Sequence, residues 1–288
     1  MTEAGTGTVA SRHVVANGVR CHYLEAGVGG LPLVLLHGSA IDSASLSFGP
    51  SLPELGEHHH VVALDWPGYG SSERPIVDMG MRDFLSLLGA FLDAMGFDRV
   101  HLAGFSMGGA VALGFSLEAP ARVNTLTLIG SYGLDDSLPV PLLPYLALRV
   151  PNLSASVAWG MRRSRLLVSL VLKYVVFSNP ELVTSELVSA VHEQLKEPAA
   201  ARSFVAWLRG ELRPFRLGTS YAGQLSDVAV PTSLLHGRND KVVPWPKASQ
   251  ASERIAGSRL VVVPSCGHWV PREAPELFRR ELLAFTRR

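Results

Sequence analysis

The sequence predicts an α/β fold: a mostly parallel sheet with helices on both faces and an inserted helical cap. Three observations lead there. Short apolar runs of buried-strand length alternate with helical patterns over most of the 288 residues. After Ser131 the alternation gives way to helical pattern alone and resumes only at Thr232. A glycine-flanked serine, Ser106, stands where one apolar run passes into a helix.

Taken in order, His13–Ala16 and Val19–Glu25 read as an antiparallel hairpin turned by Asn17-Gly18. Leu33–Leu36, Val61–Leu64, Val100–Ala103 and Thr125–Ile129 are continuous apolar runs, the pattern of strands buried on both faces. Phe84, Leu85, Leu87, Leu88, Phe91, Leu92 and Met95 recur at helical spacing before Gly96, which suits a helix C-cap. Gly109–Glu118 is the next helix. Gly133–Gly218 reads as the cap, so the chain divides into a core of residues 1–132 and 219–288 and a cap of 133–218. Strands Thr232–Leu235 and Arg259–Val263 follow, with helices around Trp245–Ala256 and from Pro275. Within the cap, Leu166–Phe177 is interrupted by Lys173 and is shorter than the ~20 residues of a bilayer-spanning helix. It reads as a buried or ligand-facing helix.

Composition excludes several classes. With 47% hydrophobic and 18% charged residues the chain can build a large core and is no disordered segment. A formal charge of +1 supplies no field for a phosphate backbone, so no nucleic acid partner is expected. Cys21 and Cys266 lack metal or redox spacing and fit reduced thiols. The N-terminus carries neither a basic nor an apolar leader region, so a cytoplasmic protein without stable membrane insertion is expected. His58, His59 and His60 are consecutive and do not converge on one ion, and no metal is expected.

The chemistry is carried by Gly104-Phe105-Ser106-Met107-Gly108, between Val100–Ala103 and Gly109–Glu118. So tight a turn needs glycines that remove Cβ clashes, and it presents the serine hydroxyl at the sheet edge. The pentapeptide alone could be a glycine-rich helix start capped by serine, but the strand-turn-helix context weighs against that. A serine hydroxyl needs a base, and the base needs a group to fix its tautomer. His268 follows the last strand and Asp240 the one before it, so Ser106, Asp240 and His268 all fall at carboxyl ends of strands. The backbone amides of Ser39 and Met107 are the expected oxyanion donors. His37 reads as a structural imidazole, and Cys266 as packing. Phe105, Trp159 and Trp269 are the expected substrate contacts.

These motifs, together with His37-Gly38, Asp65-x-Pro67-Gly68-x-Gly70-x-Ser72, Gly237-x-x-Asp240 and Gly267-His268, stand in an order that resembles the α/β-hydrolase fold superfamily over nearly the whole chain outside the cap. The resemblance implies an eight-stranded sheet, a lid between strands six and seven, and catalysis without a cofactor. Gly237–Pro244 and His268-Trp269 further resemble the carbon–carbon bond hydrolases of meta-cleavage products. Two positions depart from that subfamily: Phe105 stands where it tends to carry Asn, and Val191-His192 where its cap supplies an arginine. Arg162, Arg163 and Arg165 lie elsewhere in the cap. In some members the acid follows strand six, where Asp135 and Asp136 stand. Serine in place of aspartate at the turn excludes an alkyl-enzyme ester.

The expectation is a serine hydrolase for a small, largely apolar ester or related carbonyl compound. The alternatives are a meta-cleavage hydrolase, a ligand receptor, or a non-hydrolytic enzyme on the same fold. Leu142, Leu143, Tyr145, Leu146, Trp159 and Leu166–Phe177 are expected to line the pocket in part, with the cap's own core or a homodimer contact as the competing use.

Overall fold

The computed structural model describes residues 8–74, 78–135, 153–196, 198–214 and 216–287. Among them an eight-stranded sheet runs in the order β1-β2-β4-β3-β5-β6-β7-β8. Its strands are β1 Ala10–Ala16, β2 Val19–Ala26, β3 Leu33–Leu36, β4 Val61–Leu64, β5 Val100–Phe105, β6 Val123–Ile129, β7 Thr232–Gly237 and β8 Arg259–Val263. The β1 and β2 hairpin pairs antiparallel and meets β4 antiparallel, and every later pairing is parallel.

The unbroken apolar runs are explained by burial on both faces. In β3, Val34 and Leu36 point into one core and Leu33 and Leu35 into the other. The first core is covered by α3 (Met81–Ala94) and α4 (Met107–Glu118). The second is covered by α1 (Ala44–Phe48), α2 (Leu52–Gly56) and the C-terminal helix Pro275–Thr286.

Between β6 and β7 the described helices are α5 (Leu153–Arg163), α6 (Arg165–Val171), α7 (Ser185–Leu195) and α8 (Pro198–Glu211). Helix α6 continues through Leu172–Val176 as a wider turn closed by Phe177 N–H donating to Leu172 O at 2.8 Å. The expectation that Leu166–Phe177 is buried or ligand-facing holds for only part of the segment. Val168, Leu172 and Phe177 are buried, while Leu166, Leu167, Leu170 and Tyr174 are exposed. The residues Leu142, Leu143, Tyr145 and Leu146 lie outside the described part of the chain. After β7, α9 (Pro246–Arg254) leads to β8, and the short α10 (Val270–Glu273) precedes the C-terminal helix, α11. No described helix is long and apolar enough to cross a membrane.

The β5–α4 junction leaves no room for side chains at its glycines. A Cβ on Gly108 would sit 2.3 Å from Leu36 O, which belongs to a strand backbone that cannot yield. Gly108→Ala is therefore expected to destabilise the fold by about 2–3 kcal/mol, read as a lower urea midpoint at unchanged slope.

Candidate active site

Ser106 sits between β5 and α4 with φ +52° and ψ −115°, a strained conformation for a residue with a side chain. Close packing holds it there. A Cβ on Gly104 would lie 2.2 Å from Gly108 O. Ser106 N–H donates to Ile129 O at 2.9 Å, and Ser106 O accepts from Gly109, Ala110 and Tyr132 amides at 3.0, 3.2 and 3.1 Å. Both sides of the turn are tied into β6 and α4.

The imidazole of His268 bridges two sequence-predicted residues. Its Nε2 lies 3.0 Å from Ser106 Oγ and its Nδ1 2.7 Å from Asp240 Oδ2. The loop after β7 pins Asp240: the amides of Val242 and Val243 donate to its Oδ1, each at 2.8 Å. His236 Nε2 lies 3.2 Å from Oδ2. Burial alone would raise the Asp240 pKa, but the charge on His268 and the hydrogen bonds from His236 and His268 outweigh it and hold it well below the usual carboxylate value. In a neutral imidazole, an ionised carboxylate at Nδ1 favours the Nδ1–H tautomer and leaves Nε2 free to accept from the hydroxyl, as a general base needs. Asp135 instead pairs with Lys247 Nζ at 3.3 Å, so it does not take the acid's place. Asp136 lies outside the described residues.

Beneath the 37–42 loop runs a buried polar network. His37 Nδ1 bonds Gly38 O at 2.7 Å while its Nε2 accepts from Trp66 N–H at 3.1 Å. Both ring nitrogens are thus used structurally. Asp42, which the sequence reading missed, accepts from Gly38 N–H at 2.7 Å, Ser43 N–H at 2.8 Å and Ser47 Oγ at 2.8 Å. Burial nevertheless pushes its carboxyl above the ordinary value. Ser47 Oγ also accepts from Trp269 Nε1 at 2.7 Å, which couples the loop carrying Ser39 to the one carrying His268.

Ser106 and His268 open into a cavity of about 450 Å³ whose lining includes Ser39, Phe105, Trp269, Met161, Val171 and Leu212. The Phe105 ring lies 4.9 Å from the His268 ring and is parallel to Trp269. Trp159 is not there. It is 56% exposed and lies under the Arg163 guanidinium, one helical turn along, so its expected substrate contact is corrected. Met107 is fully buried in the first turn of α4, where the helix itself offers no acceptor for its N–H.

Sequence reasoning also missed Tyr132, Glu211 and Lys247 on the cavity wall. Glu211 accepts from Thr219 N–H at 2.8 Å and from Tyr132 Oη at 2.7 Å, the latter so distant in sequence that no local motif signals the pair.

Residues 32–275 match the family described as alpha/beta hydrolase fold. The chain is 30% identical over 272 residues to the 2-hydroxy-6-oxo-2,4-heptadienoate hydrolase of Pseudomonas putida, with 93% of each chain covered. Among solved structures it is similar to a serine hydrolase involved in carbazole degradation, at TM-score 0.80 and 29% identity over 97% of this chain and 99% of that one. It is also similar to a membrane phospholipase A described as a bacterial virulence factor, at TM-score 0.80 and 25% identity over 98% and 87%.

The depressed Asp240 pKa fixes the sign of a pH effect. A carboxyl whose pKa falls on folding contributes stability above its unfolded value, about 3.9, and loses it as pH falls through the lowered folded value. The difference in urea-unfolding free energy between wild type and Asp240→Asn is therefore expected to be present above about pH 4 and to shrink as pH falls below it. A difference that does not shrink there contradicts the assignment.

Proposed function

The chain belongs to the alpha/beta hydrolase fold family, and from that premise we propose that it is a serine-dependent hydrolase of small, largely apolar carboxylic esters. The observation that carries this is the His268 imidazole bridging Ser106 and Asp240 at the wall of an apolar cavity. Ser106 Oγ attacks the acyl carbon as its proton passes to His268 Nε2, and Asp240 holds the imidazole by Nδ1. The amides of Met107 and Ser39 stabilise the oxyanion. Collapse expels the alkoxide, which takes the proton from His268, and leaves an acyl-serine. Water, deprotonated by His268, then releases the acid and restores the hydroxyl. The helices between β6 and β7 serve as the cap that excludes bulk solvent.

The lining favours an uncharged substrate. Lys247 is the only lysine or arginine among the described lining residues, and it is paired with Asp135, whereas Asp42, Asp135 and Glu211 contribute three carboxylic groups. An anionic dienoate entering this largely apolar cavity would find one lysine, already paired, against three carboxylic groups.

A second reading is carbon–carbon bond cleavage in a vinylogous ketone of meta-cleavage type. It is supported by the similarity to the Pseudomonas putida dienoate hydrolase over nearly both full lengths. The same serine attack would then expel a dienolate instead of an alkoxide, and Lys247 is the candidate partner for the substrate's carboxylate.

Two measurements test the proposal. Ser106→Ala should lose covalent labelling by a fluorophosphonate and at least about 10³-fold in turnover, and Asp240→Asn roughly 10³–10⁴-fold, since the amide favours the wrong imidazole tautomer. Persistent single-site labelling of the alanine variant would remove Ser106 from the role.

Against p-nitrophenyl esters, kcat/KM should rise several-fold per added methylene from acetate to a medium-chain optimum, at about 0.8 kcal/mol each. A profile highest at acetate, with rapid turnover of a 2-hydroxy-6-oxo-dienoate, selects the second reading.

A further inference from the structure

We infer that the outer face of α5 and α6, with the wide turn after α6, is a seat for an anionic lipid surface, from which an acyl substrate passes directly into the cavity. Delivery of substrate rests on the ester reading above; the seat itself does not.

Exposed apolar side chains concentrate here. Trp159 is 56% exposed, Leu166 67%, Leu170 41% and Tyr174 61%. Leu166, Leu170 and Tyr174 are spaced four apart and share one helical stripe. The other two stripes are already occupied: Val168 and Leu172 lie in the core, and Val171 and Val175 line the cavity. Val175 and Val242 line the cavity and are themselves exposed, so the outer patch runs continuously into the rim of the pocket beside it.

Charge then identifies the occupant. From Leu153 to Pro180 the sequence has Arg162, Arg163, Arg165 and Lys173 and no Asp or Glu. Arg162 donates to Lys196 O, while Arg163 stacks on Trp159 at 4.6 Å. From across the cavity rim, Lys241 Nζ donates to Tyr174 O at 3.0 Å. An apolar stripe flanked by cations and bearing Trp and Tyr side chains is the composition of a helix that lies in a headgroup layer. A second copy of the chain fits poorly, because a two-fold contact through this face would set these cations against their own copies with no acid in the segment to separate them.

The test is sedimentation of the full chain with vesicles of equal parts phosphatidylglycerol and phosphatidylcholine, and with phosphatidylcholine alone. Wild type should pellet with the anionic vesicles. A variant carrying Leu166→Ser, Leu170→Ser and Tyr174→Ser should lose more than about tenfold in partitioning, with its near-UV spectrum unchanged. If that variant misfolds, Arg163→Glu with Lys173→Glu supplies the same readout through charge alone.

Ser106→Ala should bind vesicles as wild type does, so a failed ester assignment stays distinguishable from a failed docking surface. Wild type remaining in the supernatant, or folded variants pelleting equally well, would overturn the inference. So would a dimer without vesicle binding that the serine substitutions convert to monomer.

Discussion

The arrangement of the site depends on one constraint: Ser106 must keep a positive φ while β5 and α4 stay in backbone contact around it. Left-handed geometry at a residue with a side chain costs on the order of 1–3 kcal/mol, and it persists only where the surroundings leave no alternative. Here they leave none. All six residues of β5 are buried, α4 is buried from Met107 to Ser116, and Gly104 and Gly108 touch backbone on their open sides. Relaxing Ser106 would lift α4 from the sheet and expose that apolar surface. The same contact that presents the hydroxyl aims the first amides of α4 beside it.

A second support is polar. Trp269 donates to Ser47, Ser47 to Asp42, and Asp42 accepts the Gly38 amide, so loops from opposite ends of the sequence share one buried chain of hydrogen bonds. In a low-dielectric interior such a chain is costly to leave half satisfied, which gives it rigidity as well as energy. The loop above it also contains Ala40 at φ +66°. Ala40 and Ser106, the two positive-φ residues of these turns, both line the cavity.

The strand segments, the turn at Ser106 and the positions of Asp240 and His268 were legible because each rests on local pattern: an apolar run, a glycine pair, a residue at a strand end. Residues set by distant packing were not. Glu211 and Tyr132 are 79 positions apart and meet only through the fold. Trp159 was misread for a related reason: an aromatic residue in an apolar segment suggests a pocket, yet the rotation of α5 places it on the outer surface beside Arg163. Composition reports that a helix has apolar side chains; only tertiary context says which of three stripes faces protein, cavity or solvent. Helix α6 uses all three.

One contact bears on how such a molecule can be altered. His268 N–H donates to Val176 O at 2.8 Å, and nearby the amides of Ser178 and Asn179 donate to Glu273, each at 2.8 Å, while Asn239 reaches Ser178 Oγ at 2.8 Å. The segment between β6 and β7 is therefore stitched to the backbone of the imidazole's own loop. It is not an interchangeable module. Grafting the corresponding segment from another chain would move the imidazole's anchor as well as the pocket wall, so recombination at this boundary changes selectivity and rate together unless residues 176–179 travel with the recipient.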